Sequence, residues 1–408
     1  MDPRLNTLKL AALQAQKMIT LPAQTSRLAA WAMAVHRMRK QLKQNMRLWL
    51  RTLKHRPVAP GGPLRVLVHV RGGIGDVCMT RIFVKSLREA LPKAEILFCY
   101  DSKAVVDAVF QDGQFINGFQ NRKYIPQEFD LVISGCHVLR YAYYREERLK
   151  QLAPSFMPAF YKGLEMQKIF NIFDQNTPYL DGYLAKITVE YGSSRVGNLG
   201  LSTGLDVTKQ SRAPLTLNET ESRRILKNLG LAGKKYITIH DGINTNTDIS
   251  LGHPTRCWPQ YCWREFALLF KRHFPGILLV QLGGSKSAVF DFADVSLVGK
   301  TAVRDLPHIL NNALLHVDGE SGMVQLANLT RVQSVVLFGP TPEKYFGYPQ
   351  NMNLVAPNCQ ACMNIDFKWM TRCALGYPVE KQCLAAITPQ RVMEAVTQAL
   401  SANKLATK

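Results

Sequence analysis

A chain of 408 residues suits two domains of ordinary size, and 47% hydrophobic with 20% charged residues describes a globular protein with a sizeable core. No run of about 18 uncharged apolar residues occurs, and the N-terminus lacks an apolar signal core with a cleavage site, so neither a membrane span nor secretion is expected. The formal charge is +21, and the nine cysteines, an odd number scattered along the chain, suit reduced thiols in the cytoplasm.

The charge is unevenly spread. Residues 1–60 hold twelve Lys or Arg against one acid, Asp2, about half of the whole excess. From Ser26 to Arg56 apolar residues, among them Leu28, Trp31, Val35, Met38 and Leu42, recur at steps of three and four, with basic residues between them. This basic amphipathic helical extension, with Trp31 and Trp49, has the pattern of a helix lying in an anionic membrane interface on the inner face of the inner membrane. A helix packed on the rest of the chain or on a partner, with a solvated basic face, explains the same pattern.

PVAPGGP, residues 57–63, is a punctuated linker. LRVLVHV then reads as a strand buried on both faces, RGGIGDV as a loop, TRIFVKSLREAL as an amphipathic helix, and AEILFCY and FDLVISG as further strands. This is the βαβ order of a doubly wound sheet. The second half restarts it: ESRRILKNLGL (helix), KKYITIHDG (strand), CWREFALLFKRHF (helix), ILLVQLGG and LLHVDGESG (strands), MVQLANLT (helix) and SVVLFGPT (strand). TPQRVMEAVTQALSANK closes the chain as a helix, with Thr388 as N-cap and Pro389 first. The expected division is the extension over 1–60, a first α/β domain over 61–208, a second over 209–387 and a terminal helix and tail over 388–408.

Chemistry is expected where strands end. Arg71-Gly72-Gly73-Ile74-Gly75-Asp76 follows the first strand, where open α/β sheets bind ligands, and its glycines let backbone approach a ligand closely. It is no dinucleotide fingerprint, lacking the last glycine of GxGxxG, and no Walker lysine is present. Asp76 reads as a helix cap or as a functional carboxylate.

Further along, His240-Asp241-Gly242, Arg256-Cys257-Trp258-Pro259, Gly283-Gly284, Glu320-Ser321-Gly322-Met323-Val324-Gln325-Leu326 and Phe338-Gly339-Pro340-Thr341 follow in order. Together with the Gly-Asp after the first strand, this series resembles glycosyltransferase family 9, which contains the lipopolysaccharide heptosyltransferases. The resemblance covers about residues 64–400. It implies a GT-B fold, two facing Rossmann-like doubly wound domains with the acceptor on the first and the nucleotide sugar on the second. The implied reaction is inverting transfer of heptose from ADP-heptose to a lipopolysaccharide core or related glycolipid, with no catalytic metal or other cofactor.

The resemblance makes Asp76 the general base, and carboxylates are ionised at neutral pH. Arg71, Gly73 and Gly75 fall on the acceptor side, where Arg71 binds an acceptor phosphate or carboxylate or else forms a surface salt bridge. Arg256 falls at the family's K/R-x-W-P position, where a guanidinium can grip phosphate oxygens. His240, Gly242, Gly283, Glu320, Ser321, Gly322, Met323 and Thr341 complete the expected donor side, the backbone N–H groups of 321–323 opening a helix toward an anion. Trp258 and Pro259 read as packing residues.

Three positions depart from the family pattern. Glu320 replaces Asp in D-[ST]-G, Gln325 replaces the His that follows it, and Asp241 replaces the Pro of H-P-G. The loop between His240 and Arg256 is also long and polar. These departures leave another nucleotide sugar or a protein acceptor open as alternatives. Cys359-x2-Cys362-x10-Cys373-x9-Cys383 is a candidate structural site for Zn or Fe, or a set of reduced thiols in a compact loop. Within the family such a metal-bearing set looks like a feature of the protein-glycosylating autotransporter heptosyltransferases. A nucleic-acid-binding function is not expected, because residues 61–408 carry only about half of the excess charge, and no binding motif appears.

Overall fold

The structure, a computed structural model, describes residues 61–176, 180–242, 255–365, 369–378 and 383–406. The basic extension 1–60 and most of the polar loop, 243–254, lie outside the described residues. Among the described residues no helix is long and apolar enough to cross a membrane.

The first sheet is built on β1 (Arg65–Val70), in which Val66, Leu67, Val68 and Val70 are all buried. A strand apolar on both faces belongs at a sheet centre under helices. It pairs in parallel with β2 (Glu95–Cys99) and β4 (Leu131–Gly135). β3 (Gly118–Gln120) extends one edge, and β5 (Leu139–Tyr144) closes the other antiparallel to β4, giving the order β3-β2-β1-β4-β5. Edge strand β5 alternates, with Leu139 and Tyr141 inside and Arg140 outside. The helices of this half are α1 (Ile74–Ala90), α2 (Lys103–Val109), α3 (Glu146–Leu152), α4 (Met157–Gln175), α5 (Asp181–Glu190) and α6 (Arg195–Leu201). α1 begins six residues before the apolar periodicity that starts at Thr80. Gly73 in extended backbone lets the chain turn straight from the glycine loop into the helix, so Asp76 sits in its first turn.

The second half begins with α7 (Glu219–Asn228) and then runs β6 (Tyr236–His240), α8 (Gln260–His273), β7 (Leu278–Leu282), β8 (Val295–Ser296), α9 (Leu306–Asn311), β9 (His316–Gly319), α10 (Gly322–Ala327), β10 (Ser334–Phe338), α11 (Glu343–Phe346), β11 (Met352–Val355) and α12 (Pro389–Ala406). The strand pairings are all parallel, in the order β11-β10-β9-β6-β7-β8. α12 buries Val392, Val396 and Leu400, spaced by four, against the core that holds Phe266 and Phe270 of α8. Trp258 is buried there too, edge-to-face with Trp263 at 4.8 Å, its indole N–H donating to the Ile387 carbonyl.

The two sheets share one continuous apolar core running from β1 through α1 to Leu326, Ala327 and Leu329 around α10. The starts of α1 and α10 touch. A Cβ on Gly322 would lie 2.5 Å from Ile74 Cγ2, and one on Gly75 would lie 3.2 Å from Gly322 Cα. Two missing side chains allow this approach. In each sheet the chain reverses its winding beside the first strand, between β1 and β4 and between β6 and β9. Such switch points open ligand crevices at the carboxyl ends of the strands.

A candidate active site between the two switch points

The loop after β1 places Asp76 at the first crevice. Its Oδ2 accepts from the Gly73 amide at 2.9 Å, which is the helix-capping use. Its Oδ1 accepts from Arg195 Nη2 at 2.7 Å, an ion pair in which Arg195 is buried and Asp76 keeps 19% of its side chain exposed. Gly72, at φ +113°, is required here, because a Cβ on it would stand 2.3 Å from Asp76 Oδ2. The carboxylate is thus both a cap and an anchored group with one edge toward solvent. Arg71, expected on the acceptor side, pairs with buried Asp174 at 2.5 Å, and Arg140 reaches the same carboxylate at 3.0 Å. Both arginines stay about 40% exposed, so they flank the crevice as a basic pair sharing one acid.

Across the crevice, the carboxyl ends of β7, β6, β9 and β10 set Gly283, His240, Glu320 and Thr341 along one sheet edge. Arg256 lies over the end of β9. Its Nη2 donates to the Glu320 carbonyl at 2.6 Å and approaches the Glu320 carboxylate at 3.4 Å. Its Nε is buried without a partner among the described residues. Unused donor capacity on a half-buried guanidinium suits an anion. Ser321 caps α10, its hydroxyl accepting from the Met323 amide at 3.1 Å. One of the three amides expected to meet an anion is therefore engaged locally, Met323 by Ser321, and the Gly322 backbone is pressed on α1.

The departures from the family pattern acquire partners. Asp241 accepts from Ser287 Oγ at 3.0 Å and from the Ala288 amide at 3.2 Å, fixing the loop after β7 beside Gly283. Gln325 accepts from Tyr348 OH at 2.6 Å while its chain packs against Gly75. Gly242 turns at φ +77° against Cys257, which a larger residue would strain.

His240 and Asp318 form a buried pair, Nδ1 to Oδ2 at 2.9 Å, and Ser321 Oγ donates to the same oxygen at 2.5 Å. Burial pushes the Asp318 carboxyl up, but His240 and His316 outweigh it and bring it to about 2. Burial pulls the His240 imidazole down, and Asp318 more than offsets this, leaving it above its ordinary value. Asp318 therefore stabilises the fold above the usual carboxylate range and loses that contribution as pH falls toward 2. His240 contributes below about pH 6.5 and loses its share as pH climbs through its raised value. Thermal unfolding followed from pH 6.5 to 9 should show a steeper decline in the wild type than in His240→Gln. Equal slopes would mean that His240 is not charged in the folded protein. Glu320 is raised by burial, opposed by Arg256 and reinforced by Asp318 and Asp76, so the Asp76 charge acts across the crevice.

The four expected metal ligands, Cys359, Cys362, Cys373 and Cys383, line one cavity of about 120 Å³. This loop touches both halves. The Met363 carbonyl lies against Gly182 of α5, while the carbonyls of Trp369 and Met370 hold Thr255, the residue before Arg256. Among the described residues, the one group of three metal-capable side chains with ligand atoms within 4.8 Å of one another is Asp76, Cys136 and His137. There the Arg195 guanidinium already neutralises the aspartate. The four cysteines are set wider apart.

Arg195 is an addition that only the structure supplies, and the structure also gives Gly72 and Asp318 their particular places in the site. Arg195 sits 119 residues from Asp76 in an unremarkable SSRVGNLG stretch, with no local signal of its role. Asp318 could have been found from its place two residues before Glu320, at the end of a buried strand.

No protein-family model matches the chain, and no curated protein sequence does. Solved structures do match. A glycosyl transferase family 9 structure from Veillonella parvula DSM 2008 is 17% identical, spans 85% of this chain and 99% of its own, and superposes with a TM-score of 0.50. E. coli ADP-heptose lps heptosyltransferase II is 15% identical over 84% of this chain and 100% of its own, with a TM-score of 0.55. The iron-containing dodecameric glycosyltransferase TibC of enterotoxigenic E. coli H10407 is 14% identical over 85% and 81%, with a TM-score of 0.50. In fold, then, this chain is a two-sheet α/β protein of the GT-B-like kind shared by these glycosyltransferase structures.

Proposed function

We propose that the chain is an inverting glycosyltransferase that moves heptose from ADP-heptose to a lipopolysaccharide core or related glycolipid acceptor. The observation that carries this reading is the pairing across one crevice of an anchored, partly exposed carboxylate, Asp76, with a partly exposed guanidinium, Arg256, whose buried Nε has no partner among the described residues. Asp76 takes the proton of an acceptor hydroxyl as that oxygen bonds to the anomeric carbon. The bond from that carbon to the diphosphate breaks on the opposite face, which inverts configuration, and ADP leaves with the electron pair. Arg256 stabilises the negative charge that builds on the diphosphate. Glu320, its carboxyl raised by burial against the pull of Arg256, can accept from a donor hydroxyl. With Arg256 carrying the leaving-group charge, activity in a short assay is expected to survive EDTA. The deciding experiment is ADP release from ADP-heptose with and without crude lipopolysaccharide acceptor, the product anomer being read by NMR. Turnover with a different nucleotide sugar only, or transfer to protein only, would replace the donor or acceptor in this reading and keep the crevice chemistry.

Arg256→Ala should weaken ADP binding about tenfold or more and slow transfer, since a charge-assisted contact is worth about 1.5–3 kcal/mol. Arg256→Lys should recover part of both. Calorimetry with ADP decides, and equal affinity in wild type and Arg256→Ala would remove Arg256 from the donor site.

Two further readings accompany the reaction. The four cysteines fit, by donor chemistry and by lining one cavity, a structural Zn or Fe bound by thiolates, and the fold neighbour TibC is iron-containing. Binding would draw the sulfurs together and stiffen the loop that holds Thr255. Metal analysis of the purified protein should then find about one ion per chain, lost in Cys362→Ser, whereas metal-free folded protein would leave a thiol loop. The basic segment 1–60 is read as docking on an anionic membrane, each Lys or Arg near such a surface contributing about 1 kcal/mol. Failure of the full chain to sediment with anionic vesicles at low salt would end that reading.

A further inference from the structure

We propose that Arg195 is the positioning residue of this reaction, fixing the Asp76 carboxylate from beneath. This rests on the reading of Asp76 as the general base and goes beyond it. Arg195 opens α6 behind the Ser194 cap, whose hydroxyl accepts from the Gly197 amide at 3.2 Å. Its side chain is 1% exposed. One guanidinium nitrogen, Nη2, reaches both Asp76 Oδ1 at 2.7 Å and the Cys136 carbonyl at 2.8 Å, while Nη1 reaches the His137 carbonyl at 3.3 Å. The residue therefore ties the loop after β4 to the first turn of α1, across the switch point of the first sheet.

A sealed guanidinium needs a counter-charge, but it does not need that partner to keep an edge open to solvent. Here the cation is sealed and the anion is left open on one edge. The other oxygen, Oδ2, is held by the Gly73 amide and walled by Gly72, where no side chain fits. Donors on both oxygens and a wall behind them leave the carboxylate one orientation, which is what a preorganised base needs. The other titratable groups facing Asp76 are Tyr100, whose hydroxyl donates to the Gly72 carbonyl, Cys136 and His137 from the β4–β5 turn, Cys78 on its own helix and Glu320 from the second half. His137 is engaged by Tyr345 OH at 3.2 Å and lies 3.6 Å from Asp181. Arg195 is the cation in direct contact, set against the negative charge that Glu320 and a bound diphosphate bring to the crevice.

The test uses the full chain and the transfer of heptose from ADP-heptose. Arg195→Gln and Arg195→Met, both checked for folding by thermal melts, should lower kcat roughly ten- to hundred-fold while KM for ADP-heptose stays within about threefold of wild type. Arg195→Lys keeps the charge but cannot hold three acceptors in one plane, and it should show the same split. In an Asp76→Asn background the Arg195 changes should slow the residual turnover little further, since the group they position is gone. Wild-type kcat in a folded neutral variant overturns the proposal, as does a full extra loss in the Asp76→Asn background. If neither neutral variant folds, Arg195→Lys decides, and wild-type turnover there overturns it. Full activity in Asp76→Asn alone would instead remove Asp76 as the base, an outcome distinct from any result at Arg195.

Discussion

Asp76→Asn should lower turnover by at least ~10²-fold, the scale of a lost general base, while ADP affinity stays within about threefold of wild type. The second half of that expectation follows from the fold. The residues proposed to hold the nucleotide, Arg256, Glu320 and Ser321, belong to the second half of the chain, at the carboxyl ends of its strands, and share no hydrogen bond with Asp76. The asparagine oxygen can still cap α1 through the Gly73 amide, so the helix start survives. What disappears is the charge opposite Arg195, and a modest fall in melting temperature should accompany the loss of turnover, since a buried guanidinium is left uncompensated. Stopped transfer with intact ADP calorimetry and a folded melt is the expected set. Wild-type turnover in this variant would leave Asp76 as nothing more than a cap.

The largest expected effect on stability lies five residues along the same helix. Arg81 is fully buried, with Nη2 on Asp112 Oδ2 at 2.6 Å and Nη1 on Oδ1 at 3.0 Å, so the pair is bidentate. Its remaining donors reach the carbonyls of Val109, Ala213 and Pro214, and its plane lies 4.8 Å from the Phe115 ring centre. Residues 213–214 belong to the segment that joins the two halves, so Arg81 pins that joint to α1. Arg81→Ala should cost about 3–5 kcal/mol, because it strands a buried carboxylate and unpairs three carbonyls at once. Arg81→Lys should lose a large part of this, an ammonium being unable to reproduce the planar fork. Denaturant midpoints measure it, and Arg81→Met/Asp112→Leu should regain much of the stability if the buried charge is the main cost. A midpoint for Arg81→Ala equal to that of wild type would sink the argument.

By itself, the sequence determined what depends on neighbours along the chain. Apolar runs such as LRVLVHV and SVVLFGP read as buried parallel strands because burial on both faces leaves no place for polar alternation. Glycine-rich strand ends followed by amphipathic helices marked the loops where Asp76, His240 and Glu320 stand, and five motifs in order suggested the architecture. α1 starts six residues before its apolar periodicity, since periodicity registers packing, while the turn into the helix is set by Gly73 and the Asp76 carboxylate. Tertiary structure alone decided which groups those residues meet. Arg195 reaches Asp76 across 119 residues, Arg81 reaches Pro214 across 133, and Asp241 binds the loop at Ser287–Ala288. Such pairings exist because folding removes water and makes an unpaired buried charge costly, a pressure that acts on three-dimensional neighbours and leaves no periodic trace in the chain. The approach of Gly75 to Gly322 is of the same kind: each glycine is legible as a loop residue, but that the two must both be small follows only from the two helix starts meeting.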